Sequence, residues 1–144
     1  MGLLAERKTM KVGRRKVVYF HDNFEYYQPN DHVSQDCAVR AVAYALNTSW
    51  LQAYDKLCAK GREIFDVPNS TDVVGAVLKE NGFTWSSNVI FDGKRLTVHE
   101  LAEVHPTLTC VVRVSHHLTC TKGGKYHDIW DCGERTAYGF WFKK

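Results

Sequence analysis

The sequence predicts an α+β domain, and three observations carry that prediction. Helix-forming patterns fill the middle of the chain, β-patterns fill its last third, and no linker or repeat divides them. The chain has 144 residues, 44% hydrophobic and 24% charged, which is ordinary for one globular domain. A chain of this length can bury roughly 68% of its unfolded surface. It needs no disulfide framework or structural metal to fold.

Each element has its own local justification. Lys16-Val17-Val18-Tyr19-Phe20 reads as a short strand, and 21–34 as a polar, irregular stretch with Pro29. Cys37-Ala38-Val39-Arg40-Ala41-Val42-Ala43-Tyr44-Ala45-Leu46 is a strong helix, rich in alanine and apolar at three and four spacing. Ser34 or Asp36 is placed to cap it. Asn47-Thr48-Ser49 ends that helix and opens a second over 50–60, which Gly61 is expected to stop. Asn69-Ser70-Thr71 caps a third over 72–80. Residues 83–91 are strand-like and Asp92-Gly93 is a turn. Thr97 caps a short helix over 98–104. The remainder reads as β: 108–114, then 116–121 continuing it or opening a new strand, a Gly123-Gly124 hairpin returning over 125–131, and an aromatic strand over 136–142. The expected architecture is N-terminal helices packed on a C-terminal antiparallel sheet.

Charge excludes several function classes. The formal net charge is +3. Much of the excess lies in Arg7, Lys8, Lys11, Arg14, Arg15 and Lys16, so 1–15 reads as a basic arm ahead of a single domain over 16–144. No aromatic or Gly-rich motif accompanies the arm, and a nucleic-acid partner is not expected. No apolar run approaches the ~20 residues that span a bilayer, and the first residues lack a signal peptide's apolar stretch. A cytoplasmic chain without a membrane partner is expected, with its five cysteines as reduced thiols.

One cysteine stands apart. Cys37 falls in the first turn of the strongest helix, where unpaired N–H groups and roughly +0.5 charge favour thiolate over thiol. The thiolate is the nucleophile, and the same N–H groups can face an oxyanion formed by its attack. Far downstream, Ser115-His116-His117-Leu118-Thr119-Cys120 precedes Gly123-Gly124 and Lys125-Tyr126-His127-Asp128-Ile129-Trp130-Asp131. A two-residue turn sets Lys122 against Lys125, Thr119 against Asp128 and His117 against Trp130. A loop one residue longer sets His117 against Asp131. The facing lysines count against the first register, because like charges repel across a ladder. In both, a histidine has a carboxylate within cross-strand reach, as a general base requires. Trp130 is placed to shield that contact from water.

The helix beginning Asp36-Cys37-Ala38-Val39-Arg40-Ala41, followed far downstream by a His-bearing hairpin ending in Asp, resembles the papain-like cysteine peptidases. The likeness covers most of 30–143 and is closest to their small bacteriocin-processing-like branch and to short phage and bacterial members. The resemblance implies a papain-like fold, a Cys37 nucleophile, a His117 base with His116 as rival, and Asp131 as orienter with Asp128 as rival. It implies a protein or peptide substrate. The family commonly carries Gln about six residues before the Cys; Asp31 stands at that offset, and Gln35, Asn30 and Gln28 are the alternatives for an oxyanion donor. The helix also resembles the ovarian-tumour deubiquitinase pattern, although Ser34-Gln35-Asp36-Cys37 lacks its Asp-Gly element.

Cys110, Cys120, Cys132, His116, His117 and His127 crowd the last third without the tight Cys-x2–4-Cys spacing of a zinc knuckle. No metal and no cofactor are expected. The function expected is a thiol hydrolase acting through an acyl-enzyme. The alternatives are an acyltransferase using the same intermediate, or a catalytically silent module that binds a partner protein.

Overall fold

A computed structural model describes the backbone of 6–12 and 15–21 and the whole of 35–144. In chain order the elements are β1 (Glu6–Val12), β2 (Arg15–His21), α1 (Cys37–Leu46), α2 (Trp50–Ile64), α3 (Thr71–Glu80), β3 (Thr84–Ser86) and β4 (Ile90–Phe91). There follow β5 (Lys94–Arg95), α4 (Val98–Val104), β6 (Thr109–Val114), β7 (His117–Lys122), β8 (Lys125–His127) and β9 (Gly139–Lys143). The class is α+β.

Seven strands make one sheet in the order β1-β2-β8-β7-β6-β9-β3. Its pairings are antiparallel except β2 against β8, which run parallel at Tyr19↔Tyr126. The sheet is therefore neither wholly C-terminal nor wholly antiparallel, as the sequence leads one to expect. β1 lies inside the stretch read as a basic arm, and its backbone pairs with β2 from Glu6↔His21 to Val12↔Arg15.

The alternation of side chains divides the core in two. Val111, Leu118, Cys120 and Trp141 face one side of the sheet and pack under α1, α2 and α3. Cys110, Val112, Val114, Tyr126 and Phe140 face the other and pack against α4 and the segment around Val89 and Leu96. α1 lies directly on β7, and every residue from Ala38 to Tyr44 is buried. Its alanines are the reason: small side chains let the helix backbone approach the sheet closely.

Caps explain most helix boundaries. Ser49 with Gln52, and Thr97 with Glu100, form capping boxes at α2 and α4. Ser70 accepts from the Val73 N–H at the start of α3. Asn47 ends α1 in the left-handed conformation. Two expectations need correction. Asp36 is the N-cap of α1, but its side chain makes no capping bond; its carboxylate is engaged by Arg40 and Trp50 instead. Gly61 does not stop α2, which runs to Ile64 and ends at Phe65 in the left-handed conformation. Gly61 is there for space. A Cβ on it would stand 2.6 Å from the Asp66 carbonyl oxygen, because the chain folds back for Asp66 N–H to donate to the Gly61 carbonyl at 2.9 Å.

The last third resolves the strand ambiguity. β7 is a new strand antiparallel to β6, with Val114↔His117 flanking a Ser115-His116 turn. His116 takes a positive φ of 57° there. Gly123-Gly124 is the two-residue turn, with Lys122 opposite Lys125. The repulsion is relieved because Lys122 Nζ turns away and donates to the Tyr44 carbonyl at 3.0 Å, 5.1 Å above the Tyr44 ring. β8 stops at His127, so the register does not extend to Asp131.

Helix propensity alone favours Gly61→Ala by ~1 kcal/mol, whereas the backbone clash costs ~1–3 kcal/mol. The contact with a backbone oxygen decides the sign. Gly61→Ala is expected to lower the thermal midpoint by several degrees; a rise would show that the α2–Asp66 return relaxes freely.

Candidate active site

The site lies where the N-terminus of α1 meets the β6–β7 turn and the chain leaving β8. It opens into a cleft of about 1080 Å³, with Cys37 and His117 on its wall. Cys37 is the first residue of α1 and half-buried. No side chain among the described residues caps that end of the helix. Its first-turn N–H groups retain their pull on negative charge at the thiol.

His117 opens β7. Its Nε2 contacts Asp128 Oδ2 at 2.6 Å, and its side chain also interacts with the Cys37 thiol. The Trp130 ring lies 5.0 Å from the imidazole, centre to centre, tilted by 55°. His116 occupies the turn, exposed at the cleft wall, and does not join Asp128. Two adjacent strand residues point to opposite faces, and the turn adds a further twist between these two.

The carboxylate at His117 is Asp128, not Asp131. Asp128 is 3% exposed. Its Oδ1 accepts from the Ile129 N–H at 2.7 Å and from Arg40 Nη2 at 3.3 Å. That local bond to Ile129 bends the chain out of the ladder and carries Asp131 away. Asp131 accepts from the Tyr126 hydroxyl and, at 3.1 Å, from the Gly133 N–H. Its work is to hold the loop.

Arg40, 8% exposed, links the parts. It pairs with Asp36 one turn earlier and with Asp128 across the site. Trp50 Nε1 donates to Asp36 Oδ2 at 2.9 Å. The Asp36–Arg40 spacing of four residues is an ordinary helix ion pair readable from sequence; its second bond, to Asp128, is not. Cys132 is the other unanticipated neighbour. It is buried, and its thiol donates to Asp128 Oδ2 at 3.5 Å.

The electrostatics follow from these contacts. Burial pushes the Cys37 thiol up. The hydrogen bond with His117, the Leu118 N–H, and the positive charges of His117 and Arg40 outweigh it, and its pKa lies below the usual 9.0. Burial opposes charge on His117, but Asp128, then the hydrogen bonds of Cys132 and Cys37, raise its pKa to about 11. Asp128 is pushed up by burial and pulled further down by His117 and Arg40, so it is ionised. Burial raises the Cys132 thiol and keeps it protonated. Cys37 is thus the thiol whose surroundings favour ionisation, beside a histidine whose surroundings favour the charged form.

His117, Asp128 and Cys132 place donor atoms within 4.8 Å of one another. Ligand atoms at ~2.0–2.3 Å around a tetrahedral zinc stand more than ~3 Å apart. The 2.6 Å His117–Asp128 contact is a hydrogen bond, closer than two ligands on one ion. Gln35 is exposed on the cleft wall beside Cys37. Asn30, Asp31 and Gln28 lie outside the described residues. No protein-family model, curated protein or solved structure matches the chain.

Two outcomes are expected. The rate of Cys37 alkylation by iodoacetamide, mapped by peptide mass over pH 5–10, should rise through an inflexion below 9.0. His117→Ala should move that inflexion up, because it removes the hydrogen bond and positive charge that lower it, and so should Asp128→Asn, because without the carboxylate His117 loses its proton at lower pH; Asp131→Asn should leave it in place. Arg40→Gln removes the cationic partner shared by two buried carboxylates and should cost about 3–5 kcal/mol in urea denaturation.

Proposed function

We propose that this chain is a thiol hydrolase of papain-like architecture that cleaves an amide or isopeptide bond through an acyl-enzyme. The observation that carries the proposal is that Cys37, at a helix N-terminus, shares one cleft with a His117 bonded to the buried Asp128 at 2.6 Å. A nucleophile, a base in hydrogen-bond reach of it and a carboxylate that orients the base are the three parts of such a site. A Cys-bearing central helix laid on a sheet whose hairpin carries the histidine supports the papain-like assignment.

The chemistry follows the geometry. The Cys37 thiolate adds to the substrate carbonyl carbon, and its electron pair moves to the carbonyl oxygen. First-turn N–H groups of α1 and the Gln35 amide receive the oxyanion. The His117 imidazolium gives its Nδ1 proton to the leaving amine, the C–N bond breaks, and the acyl group stays on sulfur. Neutral His117 then takes a proton from water, whose oxygen attacks the thioester. The acid leaves and the thiolate–imidazolium pair is restored. Asp128 holds the ring orientation throughout and stabilises its charge. An amine in place of water would make the same site an acyltransferase.

The test is p-nitrophenyl acetate with intact-mass detection. A single acetyl on Cys37 is expected, forming ~10²–10⁴-fold more slowly in His117→Ala and absent in Cys37→Ala. Acetyl spread evenly over the five thiols, or a rate indifferent to His117, would contradict the proposal and leave a binding module.

A further inference from the structure

We infer that the cleft selects substrates carrying a carboxylate, held by Arg113 on the side of α3; the inference rests on the thiol-hydrolase reading of the same site. β6 places Arg113 on the sheet face that carries Val111, opposite Leu118 in the ladder. Val111 and Leu118 are buried under the helices on that face. An apolar residue would fit a covered position. Arg113 instead stands where the cover opens, between the N-terminal ends of α1 and α3, exposed and lining the cleft with Asn69 and Thr71.

Its guanidinium makes no hydrogen bond or ion pair among the described residues. The other charges at the cleft are already engaged: Asp36 by Arg40 and Trp50, and Arg40 by Asp36 and Asp128. Among the described lining residues Asp36 is the only carboxylate. Asp72 lines a neighbouring recess with Arg113 and forms no ion pair with it. A free guanidinium presents a planar fork that matches a carboxylate, and the Asn69 amide and Thr71 hydroxyl supply further donors. Ile129, Trp130 and Tyr138 also line the cleft and offer an apolar surface for the rest of the chain. The occupant that fits is a peptide with one acidic group, from a Glu or Asp side chain or from a terminal α-carboxylate.

The test uses electrophilic tripeptides on the intact protein. Peptidyl vinyl sulfones extend from the thiol toward the acyl side of a substrate, and chloroacetyl peptides toward the leaving-group side. Each set carries one Glu at each position in turn, with a Gln twin, and the chloroacetyl set is made as C-terminal acid and amide. One acid position is expected to label Cys37 about tenfold faster than its neutral twin, and Arg113→Gln to bring that ratio to about one. A Glu position or the terminal acid identifies which carboxylate is read. Ratios near one at every position in both sets, or an acid preference equal in Arg113→Gln, would overturn the inference. Cys37 unreactive toward iodoacetamide in the same preparation would instead contradict the thiol-hydrolase reading itself.

Discussion

Asp128 is a carboxylate kept ionised while almost wholly buried, and an unpaired charge in that position would cost several kcal/mol. Its partners offset that cost, and they come from three directions. Arg40 arrives from α1, His117 from β7, and the Ile129 N–H from the chain just beyond β8. Each partner is useful only if the helix layer, the hairpin and the departing loop meet at one point. The polar cluster thereby fixes the register of α1 on the sheet more narrowly than apolar packing, which is non-directional. Arg40 is held in turn by Asp36, and Asp36 by Trp50 of α2, so the second helix is tied to the same point.

This arrangement also sets the chemistry. Asp128 is what makes a positive His117 stable in a half-buried position, and the positive His117 is what makes a negative Cys37 stable. His117 is the shared neighbour through which the other two act on each other. Trp130 packs its ring beside the imidazole. Cys132 adds a neutral donor to the same carboxylate and stays a thiol because it is buried. Two cysteines beside one histidine are thus pushed in opposite directions by their environments alone.

Much of this was legible in the sequence. The helix boundaries Cys37–Leu46 and Val98–Val104 follow from alanine spacing and from Thr97 with Glu100, both local signals. So does the Gly123-Gly124 turn, whose register stayed open between two loop lengths until the pairing Lys122↔Lys125 to Cys120↔His127 decided it. What was not legible depends on contacts distant in sequence. Asp131 looked the better orienter, with Asp128 as its rival, because a ladder register carried past His127 assumes that the strand continues. The Asp128–Ile129 bond ends it. Gly61 looked like a stop, because its purpose lies in the returning Asp66 carbonyl. The second bond of Arg40 and the nearness of Cys132 need the fold itself. So does the parallel placement of β2 beside β8, since nothing in a strand's pattern names its neighbour.

The central claim is that Cys37 and His117 form a thiolate–imidazolium pair, held by Asp128, before any substrate arrives. The most direct measurement is ¹⁵N NMR of the His117 ring across neutral pH, with and without the Cys37 thiol. The account predicts both ring nitrogens protonated through pH 8 in the native protein, and a marked fall in that titration midpoint in Asp128→Asn. A ring that titrates near the ordinary ~6.5 in the native protein, unmoved by the loss of Asp128 or of the Cys37 thiol, would contradict it.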